Sequence, residues 1–362
     1  MKIIDRYILG KFLTTFFFCI IVMTVIVVVI DMSEKTDDFV KSKLPAWRIF
    51  TDYYAGFIPR IDAMLFPLFV FICVIFFTSK MAERTEVVAI LSSGVSFKRF
   101  LLPYVIGSTF LASILWVGYQ SVLPKANTVW SNFEAKYIGG ALDYATTAFP
   151  KNFYFRLDSN SYAGMRYFDT TSKSGGVFFI QKFINNKLVY NLRAENFAWD
   201  TATKQWNMNK VLERTMDEEK EILKSSITLS KKYNFKPRDL RKDEFLKDRL
   251  TTPELNQLIQ LEKIRGKEGI NSLLVERYNR DAIPVSVIIL SLIGAILASK
   301  KVRGGSGFQL AVGVVLSVLY ILFSRFSIVF ATKGNFAPLL AAWLPNILFG
   351  GLAMYFYYKA PK

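Results

Sequence analysis

The apolar residues of this chain are gathered into six long runs, at 12–30, 57–78, 101–123, 282–299, 308–331 and 337–358. Each run is about long enough to cross ~30 Å of hydrocarbon as a helix. In lipid every backbone N–H and C=O needs an internal partner, so runs of this kind must be helical. The first reads as a span rather than a cleaved leader. It is long, lacks a small-x-small cleavage site and runs straight into Asp31 and Glu34. The pattern predicts an α-helical membrane protein with six transmembrane helices (3+3) and an inserted extracytoplasmic all-β jellyroll or sandwich domain. The expected divisions are 1–123, 124–280 and 281–362.

The net charge of +17 does not indicate nucleic acid. Basic residues collect in the connections, as they do in cytoplasmic loops of membrane proteins. With the N-terminus inside, the inner segments hold Lys2, Arg6, Lys11, Lys80, Arg84, Lys98, Arg99, Lys300, Lys301, Arg303, Lys359 and Lys362. The outer loop 31–56 offsets four basic residues with five acidic ones. Both termini are therefore expected in the cytoplasm and 124–280 outside. That insert has 27 basic and 19 acidic residues, a net of +8. Such a balance suits anionic amphiphiles at a membrane surface, and equally a merely soluble face.

Several chemistries are excluded. There is no histidine, and both cysteines, Cys19 and Cys73, fall inside apolar runs. This removes the commonest general base, a disulfide framework and a cysteine-ligated metal. The chain has no G-x-x-x-x-G-K-[ST] motif, and "RGKEG" and "LGKFL" are too short to substitute. No cofactor is expected in this chain, so energy must come from a partner. A lipid-modifying membrane enzyme would need clustered acids or a histidine at one face, and intramembrane carboxylates are few.

The insert shows strand-like runs, "NFYFRLD", "GGVFFIQKFI", "KLVYNLRAENFAWD" and "KQWNMNKVLERT", separated by turn signals "TTSKSGG", "NN" and "DTATK". Phe153, Phe155, Phe178, Phe179, Trp199 and Trp206 are its expected core. In "TTPELNQLIQLEKIRG", Thr252 is placed as N-cap, Pro253 as the first helical residue and Gly266 as the stop. This helix would lead back to the fourth run.

Residues 80–93, within "SKMAERTEVVAILSSGVSFKR", read as an amphipathic helix between the second and third runs. Met81, Val88 and Leu91 fall toward one side, with Val87 and Ile90 close by. Glu83 and Glu86 share a neighbouring face, and Gly94 suits the C-terminal stop. Such a helix is either a knob for a cytosolic partner's groove or a solvated loop helix.

Arg325 lies inside the fifth run, where an unpaired charge costs about 2–3 kcal/mol or more. It could face a cavity and hold phosphate, snorkel to the interface, or pair with Asp62. Arg60 and Asp62 are two apart and face different sides, so they are not expected to pair with each other, and Arg60 could meet headgroups as any interfacial arginine does. Lys35, Lys41 and Lys43 follow the first run, with Asp31, Glu34, Asp37 and Asp38 near enough to neutralise them. "KKVRGGSG" (300–307) reads as a tight basic turn.

"MAERTEVVAILSSGVS" resembles the cytoplasmic coupling helix of the LptF/LptG permease family, with Arg84, Thr85, Glu86, Val87, Val88, Ser93 and Gly94 in register. "IDRYILGKFL", "LPKAN", "ERYNRDAIP" with "SLIGAILASKKVRGGSG", and "SRFSIVFATKGN" resemble further segments in order, the last as in Bacteroidota-like members. The stretch "VVVIDMSEKTDDF" tilts toward the G-type subunit. The resemblance implies the transmembrane subunit of a lipopolysaccharide-extracting ABC transporter in the bacterial inner membrane. Its implied partners are an LptB-like ATPase dimer binding ATP and Mg, a paired LptF/LptG-type subunit, lipopolysaccharide, and an LptC/LptA-like periplasmic bridge. It implies ATPase docking through Glu86, with Arg84, Glu83 and Gly94 around it. Lipid phosphate contacts would fall near Arg325, Arg60, Lys35 and Lys41. The competing reading is a non-transporting assembly or mechanotransmission subunit of an ABC complex.

Overall fold

The computed structural model describes residues 2–138, 153–158, 160–169, 172–185, 187–217, 220–233, 235, 237, 245–265, 269–300 and 305–360. Gly266 and residues 301–304 of the expected 300–307 turn lie outside them. The chain divides into two compact units, one of Met1–Asn132, Lys247–Leu255 and Asn271–Lys362, the other of Phe133–Leu246 and Asn256–Ile270.

Six helices among the described residues are long and apolar enough to cross a membrane: Ile3–Glu34, Ala46–Glu83, Phe97–Ile138, Ile270–Ala298, Gly307–Lys333 and Pro338–Lys359. They are called spans one to six below. Each expected run coincides with one of them. Pro59, Pro67, Pro103, Pro284 and Pro345 lie within these helices, which membrane spans tolerate because neighbours re-satisfy the freed carbonyls. The second and third spans each contain a wider π-turn, Phe50–Tyr54 and Gly118–Val122.

In the helical unit, spans one to three meet through stacked rings. Phe12 and Phe77 have centroids 5.8 Å apart, and Phe77 and Tyr104 5.5 Å. The hydroxyls of Thr78 and Tyr104 lie 2.9 Å apart in the same buried layer. Gly56 permits a close helix approach, since a Cβ there would meet the Ala126 carbonyl and stand 2.6 Å from the Trp130 nitrogen. Spans four to six are joined by polar groups with no water to compete. Asn346 Nδ2 donates to the Ala282 carbonyl at 2.7 Å and accepts from Tyr320 at 3.0 Å. Ser327 Oγ donates to the Ala341 carbonyl at 2.7 Å.

Span four also carries Arg280, which is 1% exposed. Its Nε donates to Glu276 at 3.1 Å, its Nη1 to Thr252 Oγ1 at 3.1 Å and its Nη2 to the Lys247 carbonyl at 3.0 Å. The Thr252 hydroxyl is thus a guanidinium partner rather than the expected helix cap. Thr251 occupies the N-cap position and Glu254 closes the turn: the Thr251 nitrogen and hydroxyl both donate to Glu254 Oε2, at 2.9 and 2.7 Å. The helix Thr252–Arg265 follows, with Pro253 one position later than expected.

The second unit contains β1 (Phe153–Arg156), β2 (Ser161–Asp169), β3 (Ser174–Ile184), β4 (Lys187–Asp200), β5 (Gln205–Asp217) and β6 (Lys220–Lys231). They form one antiparallel sheet paired strictly in chain order. The expected inserted all-β domain is therefore present, its described strands joined as an up-and-down meander. The turn at "DTATK" holds because Asp200 accepts from the Ala202 nitrogen at 2.9 Å and the Thr203 hydroxyl at 2.7 Å.

One face of the sheet packs Met165, Phe168, Phe178, Ile180, Leu192, Phe197, Trp206 and Met208 with Phe235. Trp206 satisfies its Nε1 on the Phe235 carbonyl at 3.0 Å. Phe155 and Trp199 flank this core. Phe179, expected inside, is on the opposite face, where its ring lies against Gly164 and Tyr154. The Phe153 side chain lies outside the described residues. Two strands were not foreseen. β2 is interrupted by Ala163 and Gly164, and β6 exposes nearly every side chain, so neither shows a full period-two pattern.

Candidate functional site: a jointed helix and scattered basic groups

The expected helix 80–93 is two pieces. The second span continues to Glu83, and a separate short helix runs Glu86–Ser92. The joint is Thr85, which adopts the left-handed region at φ 61°, an uncommon state for a β-branched residue. At the other end Gly94 has φ 86°, and its nitrogen donates to the Leu91 carbonyl at 3.1 Å. The stop read from the sequence therefore has the geometry that favours glycine.

Breaking the helix rearranges its faces. Val87 is fully buried and belongs to the same core cluster as Met81 and Phe97, with Ile90 and Leu91 packed against it. Val88, expected on that side, is 53% exposed. Glu83 and Glu86 no longer share one helix. Glu83 is exposed at the end of the second span, and Arg84 occupies its C-cap.

Glu86 is held. Tyr7 Oη donates to its Oε2 at 2.9 Å, and Lys11 Nζ lies 3.5 Å from the same oxygen. Lys11 also sits 4.3 Å from the Tyr7 ring centroid. The Glu86 side chain keeps 26% exposure. The start of span one therefore orients the acidic tip. Nearby, buried Asp5 ties span one to the start of span three through Arg99 at 2.5 Å. Tyr7, Lys11 and Asp5 carried no site signal in the sequence, because their partners lie 79, 75 and 94 residues away.

The basic residues expected near lipid separate into two kinds. Arg325 is exposed on span five, with Nη2 3.4 Å from Met64 Sδ. Asp62 does not pair with it: its Oδ1 lies 2.7 Å from Thr24 Oγ1. Lys41 is exposed on the short helix Thr36–Ser42. The other two are engaged within the fold. Arg60 stacks 3.8 Å from the Trp130 ring centroid. Lys35 donates to Tyr53 Oη at 2.7 Å and lies 3.8 Å from Asp31. Lys35 is thus neutralised by one of the carboxylates foreseen for it.

Six spans, an inserted antiparallel β domain and a jointed acidic helix between spans two and three define a helical membrane protein built as a permease subunit. The family model of the lipopolysaccharide export system permease LptF/LptG matches residues 6–359, and the chain belongs to that family. Members of this family are permease subunits of the lipopolysaccharide export ABC transporter and work in a membrane complex with other Lpt components. No curated protein matches the chain.

Proposed function

We propose that this chain transmits the work of a separate LptB-like ATPase dimer to lipopolysaccharide in the bacterial inner membrane. It acts beside a second LptF/LptG-type subunit and hands lipid to an LptC/LptA-like periplasmic bridge. ATP and Mg reside in the ATPase. Both termini and the helix Glu86–Ser92 face the cytoplasm, and the β domain faces the periplasm. The distribution of Lys and Arg supports this orientation.

One observation carries the reading: Glu86 begins a short helix hung between two left-handed joints, continuous with spans two and three. A partner that pulls on this helix must move both spans. Arg325 and Lys41, exposed near lipid, supply phosphate contacts in the substrate path. Arg60 and Lys35 instead hold the surrounding segments in shape. The outer strand β6 exposes Ile222, Leu223 and Ile227 and offers a sheet edge to which a bridge protein can add.

The test is copurification of the ATPase with Glu86→Gln. Losing a charge that is hydrogen-bonded at a protein interface should reduce recovery by about ten-fold or more. Glu86→Lys should abolish recovery. Wild-type recovery of both variants, with the membrane fold retained, would remove the docking role.

A further inference from the structure

Where span one begins and span two ends, beside the jointed helix, they line a half-open cavity of about 230 Å³. Its lining includes Lys11 and Thr15 from span one, and Phe76, Lys80 and Arg84 at the end of span two. Three cations face one carboxylate, Glu86, which is already engaged by Tyr7 and Lys11. Lys80 and Arg84 make no ion pair among the described residues. Lys80 instead rests 4.4 Å from the Phe76 ring centroid. Below this rim the wall is apolar, formed by Phe76, by Phe77 at 4% exposure and by Met81 at 1%.

We infer that this cavity binds the phosphate of an anionic membrane phospholipid. A guanidinium and an ammonium one helical turn apart can grip phosphate oxygens together, with the Arg84 fork giving paired bonds. The Thr15 hydroxyl adds a neutral donor. A free phosphate would satisfy the rim and leave the aromatic wall empty. The glycerol ester of a lipid would cover it, and its acyl chains would continue along the apolar surfaces of the two spans. Cationic side chains at this depth gain further from an anionic leaflet. Because Lys11 serves both the cavity and Glu86, a bound phosphate draws Lys11 away and leaves Glu86 more exposed. That consequence, and placement in the inner leaflet, rest on the function proposed above; binding itself does not.

The test uses the full chain in neutral detergent with mixed micelles of phosphatidylglycerol or phosphatidylcholine, read by native mass spectrometry. The wild type should retain phosphatidylglycerol preferentially. K80Q/R84Q should lose that retention by about ten-fold or more, as expected for two lost cation–phosphate contacts. R6Q/K98Q, a charge-matched change at exposed positions outside the cavity, should keep it. Equal retention of the two lipids, an unaffected K80Q/R84Q, or an equal fall in R6Q/K98Q would overturn the assignment. Inorganic phosphate that displaces the lipid at comparable concentration would reassign the cavity to a free anion, and so also overturn it. Since no ATPase is present and Glu86 is untouched, failure here leaves the docking proposal standing. Failure of Glu86→Gln to disturb docking likewise leaves this one standing.

Discussion

Arg280 uses all three guanidinium nitrogens on partners from different parts of the chain. A buried cation is tolerated only when its donors are met, and removing it strands the groups that met them. Arg280→Met should destabilise the purified full chain by about 3 kcal/mol, seen as a lower thermal midpoint. Arg280→Lys should recover only part of this, because one ammonium cannot reproduce a planar fork. A midpoint unchanged in the Met variant would show that these bonds are replaceable. The i,i+4 relation of Glu276 and Arg280 is written in "ERYNRDAIP". The link to Thr252 is not, because the threonine also made a plausible cap one position from the true one.

Between spans two and three, the useful property of the short helix lies in its ends. Thr85 is held in a backbone state that costs a β-branched residue of order 1–3 kcal/mol, whereas glycine occupies it freely. Thr85→Gly should therefore raise the thermal stability of the full chain while loosening the joint. If force passes through that joint, ATP hydrolysis by the assembled complex should become less coupled to lipid movement. Gly94→Ala should do the reverse to stability. Its Cβ has open space around it, so any loss must come from the positive φ alone. Opposite signs for the two substitutions are the result to look for, and equal signs would discount the strain. The sequence located this element and its glycine stop. It did not reveal the break at Thr85, because an uninterrupted helical pattern and two abutting helices look alike when both bury apolar residues. Charge and spacing nominated Glu86 but could not supply Tyr7 and Lys11, whose approach depends on the packing of spans one and two.

For the whole molecule, the orientation read from Lys and Arg makes a direct prediction. The native cysteines are poorly placed to react, since Cys73 is buried and Cys19 lies within span one. Thr203→Cys, on the exposed β4–β5 turn, and Ser92→Cys, on the jointed helix, therefore give a low background. An impermeant thiol reagent should label the first only from the periplasmic side and the second only from the cytoplasmic side. Labelling of both from one side would refute the topology. The six spans were legible because uncharged apolar runs of that length have few other fates. Of the six described strands of the sheet, four were legible. β4 and β5 are long runs bounded by turn signals, whereas β6 buries too little to announce itself.

Each described strand after β1 hydrogen-bonds to the one made just before it. Such local pairing leaves no long loop to close before contacts form. The domain can thus mature as it emerges, before the final three helices have been synthesised. The final three helices would then be added after a module already in its final shape.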